Sequence, residues 1–213
     1  MTPIIKAWTR LNGRVLYEVQ TEKPIIALTI DDGPDPITTP QLLDLLATYD
    51  AHATFFVLAN RVEHNEAIIT RMVSEGHELG NHLVEDRPSI FHPAAEFQTR
   101  FERAHASLSR FDDVHWFRPG SALYSPDMLA TIERANYQTA LGSIYPFDAH
   151  VPSSWFASTY ILWRARPGSV IVLHDVGARG ERTYETLSIV LPELTNRGYN
   201  IQTLSELTSL AEN

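Results

Sequence analysis

The chain has 213 residues, 44% hydrophobic and 20% charged, which is the size and composition of one globular domain with a single core. Its formal net charge is −9 and its 17 Lys and Arg residues form no cluster, which argues against a nucleic-acid partner. The absence of cysteine excludes disulfides and thiolate metal sites, whereas nine histidines supply possible imidazole ligands.

Residues 1–24 are predicted to be an N-terminal segment, and residues 25–213 to be the folded domain. Residues 1–14 contain no apolar stretch of the length found in a signal peptide or a membrane-spanning helix. We therefore expect no transmembrane segment and a chain that is soluble as given. The compartment and the oligomeric state stay open.

From residue 25 onward, short apolar runs alternate with segments of helical periodicity. Strands are predicted at residues 25–30, 53–58, 77–80, 115–117, 138–144, 169–173 and 199–204. Helices are predicted at residues 38–49, 66–74, 94–110, 155–164 and 184–196, with a further helix that begins near Pro126.

This alternation of strands and helices favours parallel pairing, and about seven repeats are enough to curl the sheet into a barrel. We therefore predict an α/β fold, a (β/α) barrel of about seven parallel strands in a single domain. In such folds the active site lies at the C-terminal ends of the strands.

Two adjacent carboxylates, Asp31 and Asp32, follow the first strong strand. Successive side chains point in different directions at such a place, so one carboxylate can bind a cation while the other accepts a proton. A metal-assisted hydrolase needs this division of roles. An ordinary Asp-Gly-Pro turn would explain the same residues.

An imidazole and a carboxylate, His82 and Asp86, are four residues apart, so one helical turn would bring both to the same face. Together with Asp32 they make three protein ligands and leave room for water, as in a catalytic metal site. A hydrogen-bonded pair on the surface is the alternative explanation.

His174 directly follows the apolar run at residues 169–173, which predicts that its imidazole emerges at the mouth of the barrel. A histidine there can act as a general acid, because its charge changes near neutral pH. Arg118 can orient a carboxylate through its fork of donors. A structural histidine and a surface arginine are the alternatives.

Three motifs, in this order and each after a strand, resemble the polysaccharide deacetylase superfamily, carbohydrate esterase family 4. They are residues 29–34 (T-I-D-D-G-P), residues 76–82 (G-H-E-L-G-N-H) and residues 173–175 (L-H-D). The resemblance extends over roughly residues 25–204 and implies a distorted (β/α) barrel.

The resemblance implies a role for each matching residue. Asp31 is the general base, Asp32 and His82 are metal ligands, His174 is the general acid, and Leu173 is a wall of the acyl pocket. It also implies one divalent metal ion as cofactor. Zinc is the expected metal, and cobalt, nickel and manganese are the alternatives.

The chain departs from the family at the third ligand, where Asp86 replaces a histidine. A carboxylate is still a good ligand, but it shifts the preference toward harder cations.

The arginine motif, residues 118–121 (R-P-G-S), lacks the second proline and the aromatic residue of the family. The backbone N–H of Ser121 is expected to help bind the oxyanion, and Tyr124 to replace the missing ring. Tyr145 is a further candidate for substrate binding. Asp148 is the candidate for the aspartate that tunes the catalytic histidine.

These features imply a metal-dependent hydrolase that removes an acetyl or other N-acyl group from an amino sugar or polysaccharide. Two alternatives remain: hydrolysis of a small amide or imide on the same fold, and a catalytically inactive carbohydrate-binding barrel. The expected partner is an N-acetylated saccharide or another acylated small molecule. An open groove would favour a polymer and a closed pocket a small amide. Relatives often act outside the cytoplasm.

Overall fold

The short apolar runs form strands that are buried on both faces, and every ladder between them is parallel. The structure is a computed structural model that describes residues 13–212, so residues 1–12 of the predicted N-terminal segment lie outside the described residues. The strands are β1 (Val15–Leu16), β2 (Ile25–Asp31), β3 (Ala53–Val57), β4 (Glu78–Asn81), β5 (Trp116–Phe117), β6 (Gln138–Ala140), β7 (Val170–His174) and β8 (Asn200–Gln202).

Helices connect successive strands and cover the outside of the sheet. They are α1 (Thr38–Thr48), α2 (Glu66–Ser74), α3 (Ala94–Leu108), α4 (Pro126–Arg134), α5 (Ser154–Arg164), α6 (Ala178–Asn196) and α7 (Leu204–Glu212). Three short 3-10 helices lie at Ala59–Arg61, Ser89–Phe91 and Gly120–Ala122. Within residues 13–212, no helix has both the length and the hydrophobicity that a membrane crossing requires.

The strands follow the order β1-β6-β5-β4-β3-β2-β7, and β8 pairs with the beginning of β2. Two isolated bridges, Glu18 with Ser169 and Ile144 with Ile171, join the two ends of this path. The sheet is therefore a distorted barrel that is closed by bridges instead of a full ladder. The predicted fold, a barrel of about seven parallel strands in one domain, is confirmed.

Four elements differ from the prediction, the first being the strand predicted at residues 138–144, which ends at Ala140. Strand β1 lies in the predicted N-terminal segment and pairs with β6, and its two residues are too short a run to predict. Helix α6 begins at Ala178 and not near residue 184, because Gly180 allows a close approach to α1: a Cβ there would lie 2.3 Å from Thr38 Oγ1. The predicted strand at residues 199–204 ends at Gln202 and is followed by α7.

The register brings the predicted functional residues to one edge of the sheet. Asp31 at the end of β2 is aligned with His174 at the end of β7. Asn81 at the end of β4, just before His82, is aligned with Phe117, just before Arg118. The C-terminal ends of four strands therefore carry the candidate site.

Gly80 is needed on β4 because the ring of Phe56 covers it. A Cβ at Gly80 would lie 2.5 Å from Phe56 Cδ1, and the guanidinium carbon of Arg118 lies 4.0 Å from the centroid of the same ring. The packing of a core ring is thus coupled to the position of a functional side chain.

We predict that Gly80→Ala lowers the free energy of unfolding by about 1–3 kcal/mol, because the new methyl group must displace Phe56. Urea unfolding of the single variants Gly80→Ala and Phe56→Leu and of the double variant checks the cause. If the clash is responsible, the double variant loses less stability than the sum of the single variants. Additive losses would contradict it.

Candidate active site

A cavity of about 660 Å³ lies at the C-terminal edge of the sheet. Most of the predicted site residues line it: Asp31, Asp32, His82, Asp86, Arg118, Ser121, Tyr145 and His174. These side chains come from segments far apart in the chain. The barrel therefore gathers the predicted residues around one space large enough for part of a saccharide.

Arg118 and Asp31 form a buried ion pair, with Nη1 2.6 Å from Oδ1. Arg118 also donates to the hydroxyl of Thr29 at 2.7 Å and to the backbone oxygens of Ala140 and Leu141 at 3.1 and 2.9 Å. The guanidinium thus has partners on two strands and in the segment after β6. The predicted orientation of a carboxylate by Arg118 is the arrangement found.

His174 and Asp148 form a second buried pair. Asp148 Oδ2 lies 2.9 Å from His174 Nδ1 and accepts a hydrogen bond from the His174 backbone N–H at 3.0 Å. The Tyr145 hydroxyl lies 3.4 Å from His174 Nε2. Asp148 thus contacts the ring of His174, the histidine that it was predicted to tune. Asp148 itself does not line the cavity.

The charges around His174 favour its protonated form. Burial lowers the pKa of His174, but the hydrogen bond and charge of Asp148, together with the charges of Asp31 and Asp32, outweigh burial and raise the pKa above its ordinary value. A ring in this state can deliver a proton near neutral pH. The site therefore contains a group that can donate a proton, the imidazole of His174.

Asp32 and His82 supply donor atoms of the types that bind a divalent cation. His82 Nε2 lies 3.5 Å from Asp32 Oδ1, and His82 Nδ1 donates to the backbone oxygen of Arg118 at 2.7 Å. A carbonyl that fixes the outer nitrogen in this way directs Nε2 toward Asp32, and Nε2 can coordinate a metal ion once it has lost its proton, as is usual for metal-binding histidines. These two residues therefore fit the predicted cation.

Asp32 remains ionised in this environment. Burial raises its pKa, but the hydrogen bond and charge of His82 and the charges of His174 and Arg179 outweigh burial, and the pKa lies below its usual value. An anionic oxygen is the form that a metal ion or a guanidinium binds.

The expected helical turn between His82 and Asp86 is wrong. Residues 83–87 are irregular, and Leu83 has a left-handed φ of 65°. The side chain of Asn81 accepts from the Leu83 backbone N–H at 2.8 Å, and the Leu83 oxygen accepts from Ala59 at 2.9 Å. These hydrogen bonds turn the chain away from a helix, so Asp86 reaches the cavity from a loop.

Asp86 lies at the rim of the cavity and contacts Arg179, whose Nη2 is 3.5 Å from Asp86 Oδ2. The other end of the same guanidinium donates to Asp32 Oδ2 at 2.7 Å. Among residues 13–212, no three His, Cys, Asp or Glu side chains are grouped closely enough to hold a metal ion. Asp86 as third ligand therefore stays a prediction, and a guanidinium bridges the two carboxylates.

Two predicted substrate-binding residues lie elsewhere. Leu173 is fully buried in the hydrophobic core, because side chains alternate along β7 and it is Val172 and His174 that face the cavity. Tyr124 packs beside the cluster that includes Leu129 and Leu141. Neither residue lines the cavity, so the assignments of Leu173 and Tyr124 to substrate binding stay predictions. Ser121 does line the cavity, with a left-handed φ of 58°.

An aromatic series begins beside His174 with Tyr145, a predicted substrate-binding residue, and continues through three rings that were not predicted to have a role: Phe147, Tyr160 and Trp163. Successive ring centroids are 6.0, 5.9 and 6.3 Å apart. The first three rings line the cavity, whereas Trp163 is 75% exposed. The many aromatic residues between positions 145 and 163 are the feature of the sequence that could have indicated this series.

Arg179 was also not predicted to be a site residue, although its position in the sequence could have indicated one. It lies in the first turn of α6, where the helix dipole disfavours a positive charge. An arginine in such a place indicates an acidic partner nearby.

The chain matches the family model described as Polysaccharide deacetylase over residues 18–140, more than half of its length. It is 35% identical over 203 residues to a peptidoglycan-N-acetylglucosamine deacetylase of Bacillus cereus, covering 92% of this chain and 93% of that protein. A chitooligosaccharide deacetylase of a Bradyrhizobium species is 32% identical over 196 residues, with coverage of 85% and 90%.

Solved structures of this family have the same fold as the chain. A peptidoglycan N-acetylglucosamine deacetylase superposes with a TM-score of 0.88 at 26% identity, covering 97% of each chain. A pseudoenzyme of carbohydrate esterase family 4 from Bacillus anthracis superposes with a TM-score of 0.83 at 20% identity, covering 91% of this chain and 68% of that one. The shared fold therefore does not by itself establish catalysis.

Beneath the site, Asp175 is fully buried, and the hydroxyls of Thr38 and Thr39 donate to its two oxygens. Burial raises the pKa of Asp175 to about 6, although the two hydroxyls act in the opposite direction. The folded state therefore binds a proton more tightly here than the unfolded chain, whose aspartates have an ordinary pKa near 3.8.

This difference predicts a pH-dependent stability. The stabilising contribution of protonated Asp175 is fully present below the unfolded pKa and is lost as the pH rises through about 6. Relative to Asp175→Asn, the wild type should lose about 2–3 kcal/mol between pH 4 and pH 7.5. Urea unfolding across this range measures it, with Asp50→Asn at an exposed position as control. A constant difference would contradict the shifted pKa.

Proposed function

This chain belongs to the polysaccharide deacetylase family, and on that premise we propose that it hydrolyses the N-acetyl group of an amino sugar in a polysaccharide. The proposal rests on two buried pairs at one cavity: Asp31 with Arg118, and His174 with Asp148. Hydrolysis of an amide needs a base for the attacking water and an acid for the leaving amine. The two pairs supply one group for each role.

In this proposal, the carboxylate of Asp31 accepts a proton from the water that attacks the acyl carbon. Its contact of 2.6 Å with Arg118 holds the carboxylate in one orientation, so the base does not need to reorganise during the reaction. The backbone N–H of Ser121 donates to the oxyanion that develops on the acyl oxygen.

His174 protonates the amine nitrogen as the C–N bond breaks. The hydrogen bond that His174 Nδ1 donates to Asp148 holds the ring and raises the pKa of His174, so the proton is available when the amine leaves. The products are acetate and a free amine on the sugar. Tyr145 Oη, 3.4 Å from His174 Nε2, is proposed to position the ring toward the substrate.

We also propose that the reaction depends on one divalent cation. Zinc is the expected ion, and cobalt, nickel or manganese could replace it. Asp32 and His82 would hold it, with Asp86 as the third ligand. When bound, such a cation polarises the acyl carbonyl and activates the attacking water.

A polymer is favoured over a small amide because the aromatic series extends beyond the reacting groups. Tyr145 lies beside His174, and the series continues outward to the exposed Trp163. Aromatic faces offer flat apolar surfaces against which sugar rings can pack. By their names, two relatives act on peptidoglycan N-acetylglucosamine and on chitooligosaccharides, so a polymer of N-acetylglucosamine is the proposed substrate.

Loss of the base should abolish turnover. We predict that Asp31→Asn lowers kcat/KM for acetate release from chitooligosaccharides and peptidoglycan fragments by about 10²–10⁴-fold. Both proteins are loaded with zinc and assayed for acetate, and Asp50→Asn is the matched control. Because Asp31→Asn leaves Arg118 without its carboxylate, thermal unfolding is recorded on the same samples, and His174→Gln serves as a second variant.

Zinc-loaded wild type that releases no acetate from either substrate would overturn the proposed activity. The alternatives would then be the hydrolase of a small amide and the inactive carbohydrate-binding barrel. Acetate release that survives in both variants would overturn the assigned base and acid.

The aromatic series predicts a dependence on substrate length. Trp163→Ala should raise KM for long chitooligosaccharides about threefold to tenfold, since one aromatic contact contributes roughly 0.5–1.5 kcal/mol, and leave kcat and the shortest substrates unchanged. Trp155→Ala is the matched control, because Trp155 is 72% exposed on the same helix but makes no ring contact with the series among the described residues. Equal effects of the two variants would contradict a role for the series.

A further inference from the structure

Arg179 contacts two of the residues that would hold the proposed cation. Its Nη1 is 2.7 Å from Asp32 Oδ2 and its Nη2 is 3.5 Å from Asp86 Oδ2, so one guanidinium spans both carboxylates. These are two of the three residues assigned to the cation. A carboxylate oxygen that accepts from Arg179 in this way is blocked for a metal ion.

The charge balance explains why a guanidinium is held there. Asp31 has Arg118 as its own counter-ion, and Asp148 has His174. Asp32 is 3% exposed, and besides His82 its close positive partner is Arg179. A buried carboxylate without compensating charge is strongly unfavourable, so in the absence of a metal ion Arg179 stabilises Asp32.

The local position of Arg179 does not account for this arrangement. The side chain starts in the first turn of α6, where the helix dipole opposes a positive charge. Nothing in the helix itself favours an arginine at this position, so its contacts with Asp32 and Asp86 provide the compensation.

Asp86 and Arg179 are electrostatically complementary. A neutral histidine at position 86 would offer no negative charge to a guanidinium, whereas Asp86 does. The departure from the family pattern at Asp86 is therefore matched by an arginine that uses it.

We propose that Arg179 is the resident cation of this site and competes with a divalent metal ion for Asp32 and Asp86. The inference rests on the cation site of the proposed function and concerns its occupancy. Metal binding requires the guanidinium to swing out, which its one-third exposed side chain allows. If Arg179 occupies the carboxylates about nine-tenths of the time, the apparent affinity for the metal is reduced about tenfold.

The test measures zinc binding to metal-free, full-length protein by calorimetry, for the wild type, Arg179→Gln, Arg179→Lys and Arg87→Gln. Arg87 is the matched control, because it is adjacent to Asp86, is 66% exposed and contacts Glu85 only at 3.7 Å. Arg179→Gln should bind zinc about tenfold or more tightly than the wild type. Arg179→Lys keeps the charge without the fork of donors and should fall in between.

A second readout separates competition from a purely structural role. The metal-free Arg179→Gln protein should unfold at a lower temperature than the wild type, and saturating zinc should remove or reverse the difference. Equal zinc affinities for Arg179→Gln and Arg87→Gln would overturn the proposal. It is also overturned if none of the variants binds zinc, because competition would then not be what keeps the metal out.

Neither measurement uses a substrate, so this inference and the proposed activity fail independently. Tighter zinc binding without acetate release would sustain the competition and overturn the deacetylase. Acetate release by the wild type, with the same zinc affinity in the wild type and Arg179→Gln, would support the deacetylase and overturn the competition.

Discussion

The buried guanidinium of Arg118 is the interaction on which the rest of the site depends. Its side chain binds Asp31, while its own backbone oxygen accepts from His82 Nδ1. A single residue therefore orients both the proposed base and one proposed metal ligand. Removing one partner of such a buried ion pair typically costs about 3–5 kcal/mol, because the other charge is left uncompensated. The orientation of the site and the stability of the fold cannot be separated at this residue.

Two acidic residues that line the cavity, Asp31 and Asp32, and a third behind His174, Asp148, each have a different positive partner. Arg118 compensates Asp31, the ring of His174 compensates Asp148, and Arg179 with His82 compensates Asp32. This division assigns different chemistry to carboxylates that are close in space. The permanently charged guanidinium of Arg118 holds the proposed base in one orientation, and the ring of His174 is the proposed source of a proton. The guanidinium of Arg179, which is only partly buried, is the partner that the proposed metal ion would displace.

Much of the fold could be predicted because its signals are local. The apolar runs of β2 and β7 and the helix α2 were predicted almost to the residue, since each depends on the periodicity and turn residues of its own segment. The predictions that failed depended on neighbours. Residues 83–87 were expected to be helical, but hydrogen bonds with Asn81 and Ala59 set their path. The position of Leu173 also depends on its neighbours, since the pleat of β7 places it in the core and not at the cavity.

The sequence by itself determined the parallel barrel, the family and the identity of the paired acidic and basic groups, because strand patterns and short motifs are properties of contiguous residues. Only the tertiary structure decided which charges meet. Arg179 is 147 residues from Asp32 and 93 from Asp86, yet one guanidinium contacts both. Such a contact depends on strand register, the curl of the sheet and the early start of α6, and these are set by the packing of the whole barrel.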